Sequence, residues 1–198
     1  MTLPAKAKRR RDLVAIAASS FLVAACSSSS HGPYETNDEG DRNALRAQEL
    51  TGKAIDASDK DAAKSEKLLR EALTADLYYG PAHNDLGVLF FRQNKLYEAA
   101  NEFEWARKLM PGHPDPRLNL ALTLERAGHV AEAFAAYDAA LEVAPEHVPT
   151  MQAYARLAVR RGRRDDKVAA MLKSIELRGE DGAWRHWAEH ELAQGAPR

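Results

Sequence analysis

From residue 80 onward the pattern of apolar and small positions repeats itself. Leu86, Leu120 and Tyr154 stand 34 residues apart, and so do Gly87, Ala121 and Ala155. The same interval links Phe103, Tyr137 and Met171, then Ala106, Ala140 and Ser174, and also Asn94, Gly128 and Gly162. Pro111 and Pro145 close two units, where a proline stops a helix, and Gly179 takes the equivalent place in the third. Such a unit predicts two antiparallel helices joined by a short turn. Small residues at Gly87, Ala99, Ala121 and Ala133 let the helices approach, while Leu86 and Phe103 fill the space between them. The turn residue has to accept a left-handed backbone, which Gly and Asn do at little cost.

The flanks carry weaker versions of the pattern. Over residues 44–79, Leu69, Ala72 and Leu73 lie 34 before Phe103, Ala106 and Arg107, so a second helix is in register. A first helix with Ala47, Leu50 and Ala54 fits if the turn near Asp56–Asp61 is two residues longer, and Leu77 replaces the closing proline. The division expected is therefore a degenerate first repeat at 44–79, repeats at 80–113, 114–147 and 148–179, and a capping helix with its tail at 180–198. In that last segment Trp184, Trp187, Ala188 and Leu192 form one apolar stripe able to cover the end of the stack. Residues 27–43 have no hydrophobic period and read as a flexible spacer.

Leu86-Gly87, Ala99, Phe103, Ala106 and Pro111, met in that order, resemble the tetratricopeptide-repeat signature. The tryptophan usual at the start of the first helix is replaced by His83, Arg117 and Met151. The resemblance implies an all-α solenoid. Composition agrees, since Ala, Leu, Glu and Arg dominate after residue 40 and β-branched runs are scarce. In that fold the first helices of successive units line a groove that takes protein segments. The positions so implied are Asn84, Val88, Phe91 and Arg92, then Leu118, Leu122, Glu125 and Arg126, then Gln152, Arg156, Val159 and Arg160. Phe91, Leu118 and Leu122 are expected as apolar anchors. Arg92, Arg126 and Arg160 are 34 apart and should align as a ladder. Two readings of the ladder stand: it pairs with an acidic partner segment, or it sits at helix C-termini because cations favour the dipole there. A clamp for a C-terminal carboxylate is not expected, because only Asn119 matches it and Asn84 and Val88 stand where a lysine and an asparagine are needed.

The beginning of the chain reads as an address. Basic residues within 4–11 precede an apolar stretch, Leu13 to Ala25, too short and too rich in Ala and Ser to span a bilayer permanently. Val23-Ala24-Ala25-Cys26 resembles a lipobox, which implies removal of residues 1–25 and acylation of Cys26, with 26–43 as lipidated cysteine and tether. By the same resemblance, Ser27, in place of an aspartate, points to the periplasmic face of the outer membrane. Arg10-Arg11-Asp12-Leu13 partly matches a twin-arginine signal, although a merely basic leader is the better explanation. Loss of the leader moves the formal charge from −1 to −5, which argues against nucleic acid as a partner. One cysteine also excludes an internal disulfide.

Candidate chemistry is sparse. His186-Trp187-Ala188-Glu189-His190 spells the H-x-x-E-H of inverted zincin proteases. It lies on the capping helix, however, without the further ligand and catalytic domain such enzymes need. Asp165-Asp166 and Glu180-Asp181 are turn or helix-start residues, and the basic run 156–167 is a solvated turn or a contact for an acidic partner or anionic lipid. No catalytic residue, metal or cofactor is expected. The sequence predicts a lipid-anchored envelope adaptor or assembly factor with a protein partner in its groove. The alternatives are a self-associating structural protein and, remotely, a zinc-dependent hydrolase.

Overall fold

The computed structural model describes residues 42–195; the leader, Cys26 and the spacer up to residue 41 lie outside the described residues. Those residues form nine helices: α1 (Ala44–Ala57), α2 (Ala62–Ala75), α3 (Gly80–Arg92), α4 (Leu96–Leu109), α5 (Asp115–Ala127), α6 (Val130–Val143), α7 (Val148–Arg160), α8 (Asp166–Arg178) and α9 (Gly182–Gly195). The architecture is all-α, with consecutive helices packed as antiparallel hairpins and the hairpins stacked in chain order.

Local chemistry explains the boundaries. Asn43, Asp61 and Asp165 cap α1, α2 and α8 by accepting from the amides of Arg46, Lys64 and Val168. Pro81, Pro116 and Pro149 sit in the first turns of α3, α5 and α7, where the missing N–H costs nothing. The turns inside the last three hairpins contain left-handed Asn94 (φ 60), Gly128 (φ 86) and Gly162 (φ 74), the positions marked by the repeat. At Gly87 the helices close up so far that a Cβ would lie 2.6 Å from Cε1 of the buried Phe103.

Two apolar clusters form the core. One runs through α1 to α4 and borrows Leu120 from α5; the other runs from α5 through α8 and ends on Ala188, Trp184 and Trp187 of α9. Leu124 packs against both, so α5 is the seam. His83, at the tryptophan position of the repeat, is fully buried in α3. Its Nδ1 lies 2.7 Å from Oε2 of Glu102 on α4 and its Nε2 lies 2.8 Å from the Leu77 carbonyl. The ring stacks on Trp105 at 5.5 Å.

The spacer ends earlier than its composition suggested. The Arg42 guanidinium donates twice to the buried Asp76 carboxylate, at 3.0 and 3.3 Å, and the Asn43 amide donates to the Ala75 carbonyl. Both residues belong to the folded part, because a buried carboxylate needs a counter-ion and the last turn of α2 needs a donor.

Candidate functional site

The first helix of each hairpin lies beside its counterpart in the next, α1 against α3 and α3 against α5, so their outward residues share one face. A side-chain amide bridge joins two of them: Asn119 Nδ2 donates to Asn84 Oδ1 at 3.0 Å. The Asn119 amide is thus spent between helices.

The arginines do line up, and each reaches one repeat back. Arg92 donates to Asp59 in the α1–α2 turn at 2.9 Å. Arg126 donates to the Phe91 carbonyl at 3.1 Å and lies over the Phe91 ring, 3.8 Å from its centroid. Arg160 donates to Glu125 at 3.2 Å, and Arg156 stands 3.5 Å from the same carboxylate oxygen. These clips differ in strength. The Arg92–Asp59 pair is 51 % and 83 % exposed, so water and salt reduce it to about 0–1 kcal/mol. The Arg126 cation over the Phe91 ring contributes roughly 0.5–1 kcal/mol at such an exposed site. It also meets the negative end of α3, which is the dipole reading applied to the neighbouring helix. Glu125 is the firm node: only 11 % of its side chain is exposed, and it also accepts from the Tyr137 hydroxyl at 2.7 Å. Burial, and then this bond to a carboxylate, hold the Tyr137 hydroxyl well above its usual range.

Two guanidinium groups, Arg156 and Arg160, therefore share the one carboxylate Glu125, while among the described residues Arg126 has only the Phe91 carbonyl and ring as partners, and the α5–α7 end of this face is left cationic. The apolar anchors are fewer than the repeat pattern implied. Leu118 is 8 % exposed and belongs to the core, so it is not available to a partner. Val88, Phe91, Leu122 and Val159 are half-buried, Gln152 likewise, and one face of the Phe91 ring is already covered by Arg126.

The α1–α3 end has a different character, and of its residues sequence reasoning named only Val88 and Arg92 as groove positions. Ile55 is 57 % exposed. Beside it a cavity of about 170 Å³ opens between the first hairpin and α3, lined by Ile55, Ser58, Ser65, Leu69, Asp85, Val88, Leu89 and Arg92. Asp85 is half-buried there and receives a single 3.3 Å hydrogen bond, from Asn84. Burial pushes its carboxyl above the usual carboxylate range, against the pull of that bond. Burial, followed by the Asp85 charge, likewise raises the Tyr79 hydroxyl.

The other candidates resolve into structural roles. In the basic run Arg163 pairs with Asp165 at 2.7 Å, Arg164 with Glu191 at 2.8 Å and Lys167 with Asp138 at 2.6 Å. Asp181 accepts from the Ala183 amide at the start of α9. His186 and Glu189 are exposed and 3.7 Å apart, and His190 accepts from Gln194. The described residues contain no group of three His, Cys, Asp or Glu side chains placed to hold a metal, and no described helix is long and apolar enough to cross a membrane.

No protein-family profile and no curated protein matches the sequence. Solved structures do resemble it. The first tetratricopeptide-repeat domain of Spaghetti (RPAP3), bound to the HSP90 peptide SRMEEVD, superposes with TM-score 0.58 at 15 % identity, over 62 % of this chain and 98 % of that one. A tetratricopeptide-repeat protein from Parabacteroides merdae gives TM-score 0.63 at 21 % identity, over 76 % of this chain and 60 % of that one. MamA from Desulfovibrio magneticus, from residue 41 to its end, gives 0.59 at 17 % identity, over 69 % and 78 %. At these identities the likeness establishes the fold: this chain is a tetratricopeptide-repeat solenoid.

Proposed function

We propose that this protein is a lipid-anchored adaptor of the cell envelope, holding a segment of a partner protein along the face formed by its first helices. The observation that carries the reading is the shared carboxylate: Arg156 and Arg160 both lean on one Glu125, and Arg126 meets no carboxylate among the described residues, so acidic side chains arriving there complete an unbalanced charge set. Half-buried Phe91 and Leu122 beside them supply apolar contact. The RPAP3 repeat of the same fold holds a peptide containing two glutamates and an aspartate, SRMEEVD, which supports an acidic segment as the kind of partner. Neither the face nor the H-x-x-E-H helix assembles a nucleophile with a base, and the reading is a binding module rather than an enzyme.

Anchoring rests on the lipobox resemblance at Cys26, with the periplasmic face of the outer membrane as the site. Two or more acyl chains hold a protein stably where a single chain does not. Labelled palmitate should enter the wild-type chain and not Cys26→Ser, which should leave the membrane fraction. For the groove, crosslinking in native membranes is compared between wild type and Arg126→Glu/Arg156→Glu. A specific protein captured by wild type and lost from the variant supports the reading. Identical captures, or the bait alone, refute it in favour of self-association.

A further inference from the structure

The α1–α3 end of the same face holds the one feature that the repeat does not require. Counting by 34 from Asp85 gives Asn119 and then Ala153, so neither of the next two units places a charge at this position. Asp85 nevertheless lines the cavity with apolar walls from Ile55, Leu69, Val88 and Leu89, and among the described residues it makes no ion pair. Arg92 lines the cavity too, but donates to Asp59, so Asp59, Asp85 and Arg92 together leave one negative charge. A half-buried carboxylate without a counter-ion weakens a fold, and ligand sites are among the places where proteins keep one. The burial that raises the Asp85 carboxyl is a cost that an incoming cation removes.

We propose that this cavity is a subsite for the side chain of a lysine on the bound segment, its methylene stem against Ile55, Leu69, Val88 and Leu89 and its ammonium on Asp85. The stem matches the walls because lysine buries its methylenes along apolar surface while its charged end seeks a partner. The Ser65 hydroxyl donates to the Ala54 carbonyl at 2.9 Å, which leaves its oxygen able to accept from the same ammonium. The volume of about 170 Å³ admits one side chain rather than a folded element.

This inference rests on the inner face being the binding face, and it gives the bound segment a direction. Asp85 is on α3, and Arg156 and Arg160 are on α7, two first-helix spacings away. At about 8–10 Å per helix the separation is roughly 16–20 Å, or about five or six residues of extended chain. The segment that fits is bipolar, with a lysine at the α3 end and acidic residues about that far along, toward α7.

The test uses the full chain in detergent micelles, with methyl-labelled Ile, Leu and Val, titrated with N-acetyl-lysine N-methylamide. Saturable shifts are expected at Ile55, Leu69, Val88 and Leu89. The norleucine and Nζ-acetyl-lysine analogues, which keep the stem without the charge, should bind at least tenfold more weakly. Asp85→Asn, which keeps the shape, should reduce lysine binding to the level of the analogues while its spectrum elsewhere is unchanged. No saturable shift, equal binding of norleucine, or an unaffected Asp85→Asn variant overturns the subsite. Capture of a partner that depends on Arg126 and Arg156, without a lysine response, would leave the groove reading standing and remove this one. A lysine response without such capture would do the reverse.

Discussion

The buried pair of His83 and Glu102 permits a sharp test of how the second hairpin is held. The Leu77 carbonyl can only accept, so His83 Nε2 carries a hydrogen, and a second hydrogen lies between Nδ1 and Glu102 Oε2 across 2.7 Å. In Glu102→Ala the ring keeps its bond to Leu77, but the buried Nδ1 loses its bond to the carboxylate. Removing the partner of a buried polar group costs about 1–3 kcal/mol. The lost packing of Glu102, itself only 7 % exposed, brings the total to about 3 kcal/mol. For a chain of this size that is roughly 6–12 °C in melting temperature. Glu102→Gln should behave quite differently. Its amide can donate to Nδ1 while Nε2–H still serves Leu77, so the loss should stay below about 1 kcal/mol. Urea unfolding followed by far-ultraviolet circular dichroism measures both variants. Equal losses for Ala and Gln, or an Ala variant within about 0.5 kcal/mol of wild type, would refute the reasoning.

Two further expectations follow from geometry and charge. Gly87→Ala forces a Cβ to within 2.6 Å of the Phe103 ring and should destabilise by about 1–3 kcal/mol, with Phe103→Leu recovering part of the loss in a double-mutant cycle. Asp85 gives a signed pH dependence. Burial raises its folded value, so the native state holds a proton that the unfolded chain has released; stability falls as pH climbs from the ordinary carboxylate range through the raised value, then levels. Asp85→Asn should therefore be the more stable protein at neutral pH, and the difference should vanish in acid below the ordinary range; urea midpoints at the two conditions check it.

What was legible in the sequence was what the backbone requires locally. A left-handed turn admits few residue types, so Asn94, Gly128 and Gly162 announced themselves, and the contact of Gly87 with Phe103 follows from a missing Cβ. Side-chain destinations were not legible. The repeat aligned the three arginines, but their acceptors differ: the exposed Asp59 carboxylate, the Phe91 carbonyl and ring, and the largely buried Glu125 carboxylate. Periodicity cannot distinguish these. Leu118 was misplaced because it borders the exposed stripe of α5, and one position around a helix decides burial. Arg42 and Asn43 were assigned to the spacer because composition averages over a window, whereas the contacts with Asp76 and Ala75 are individual. Asp85 did leave a trace, since a charge replaced by Asn119 and Ala153 at the next two intervals is an exception to the repeat.

The backward reach of the arginines also gives the solenoid a temporal order. A chain emerging N-terminus first presents Asp59 before Arg92, the Phe91 carbonyl before Arg126, and Glu125 before Arg156 and Arg160. Each acceptor is thus in place when its cation arrives, and every new hairpin can lock onto a finished one without waiting for anything downstream. By this rule the clips can close in chain order, and Glu125, already bonded to Tyr137, gains its arginine partners only when α7 is complete.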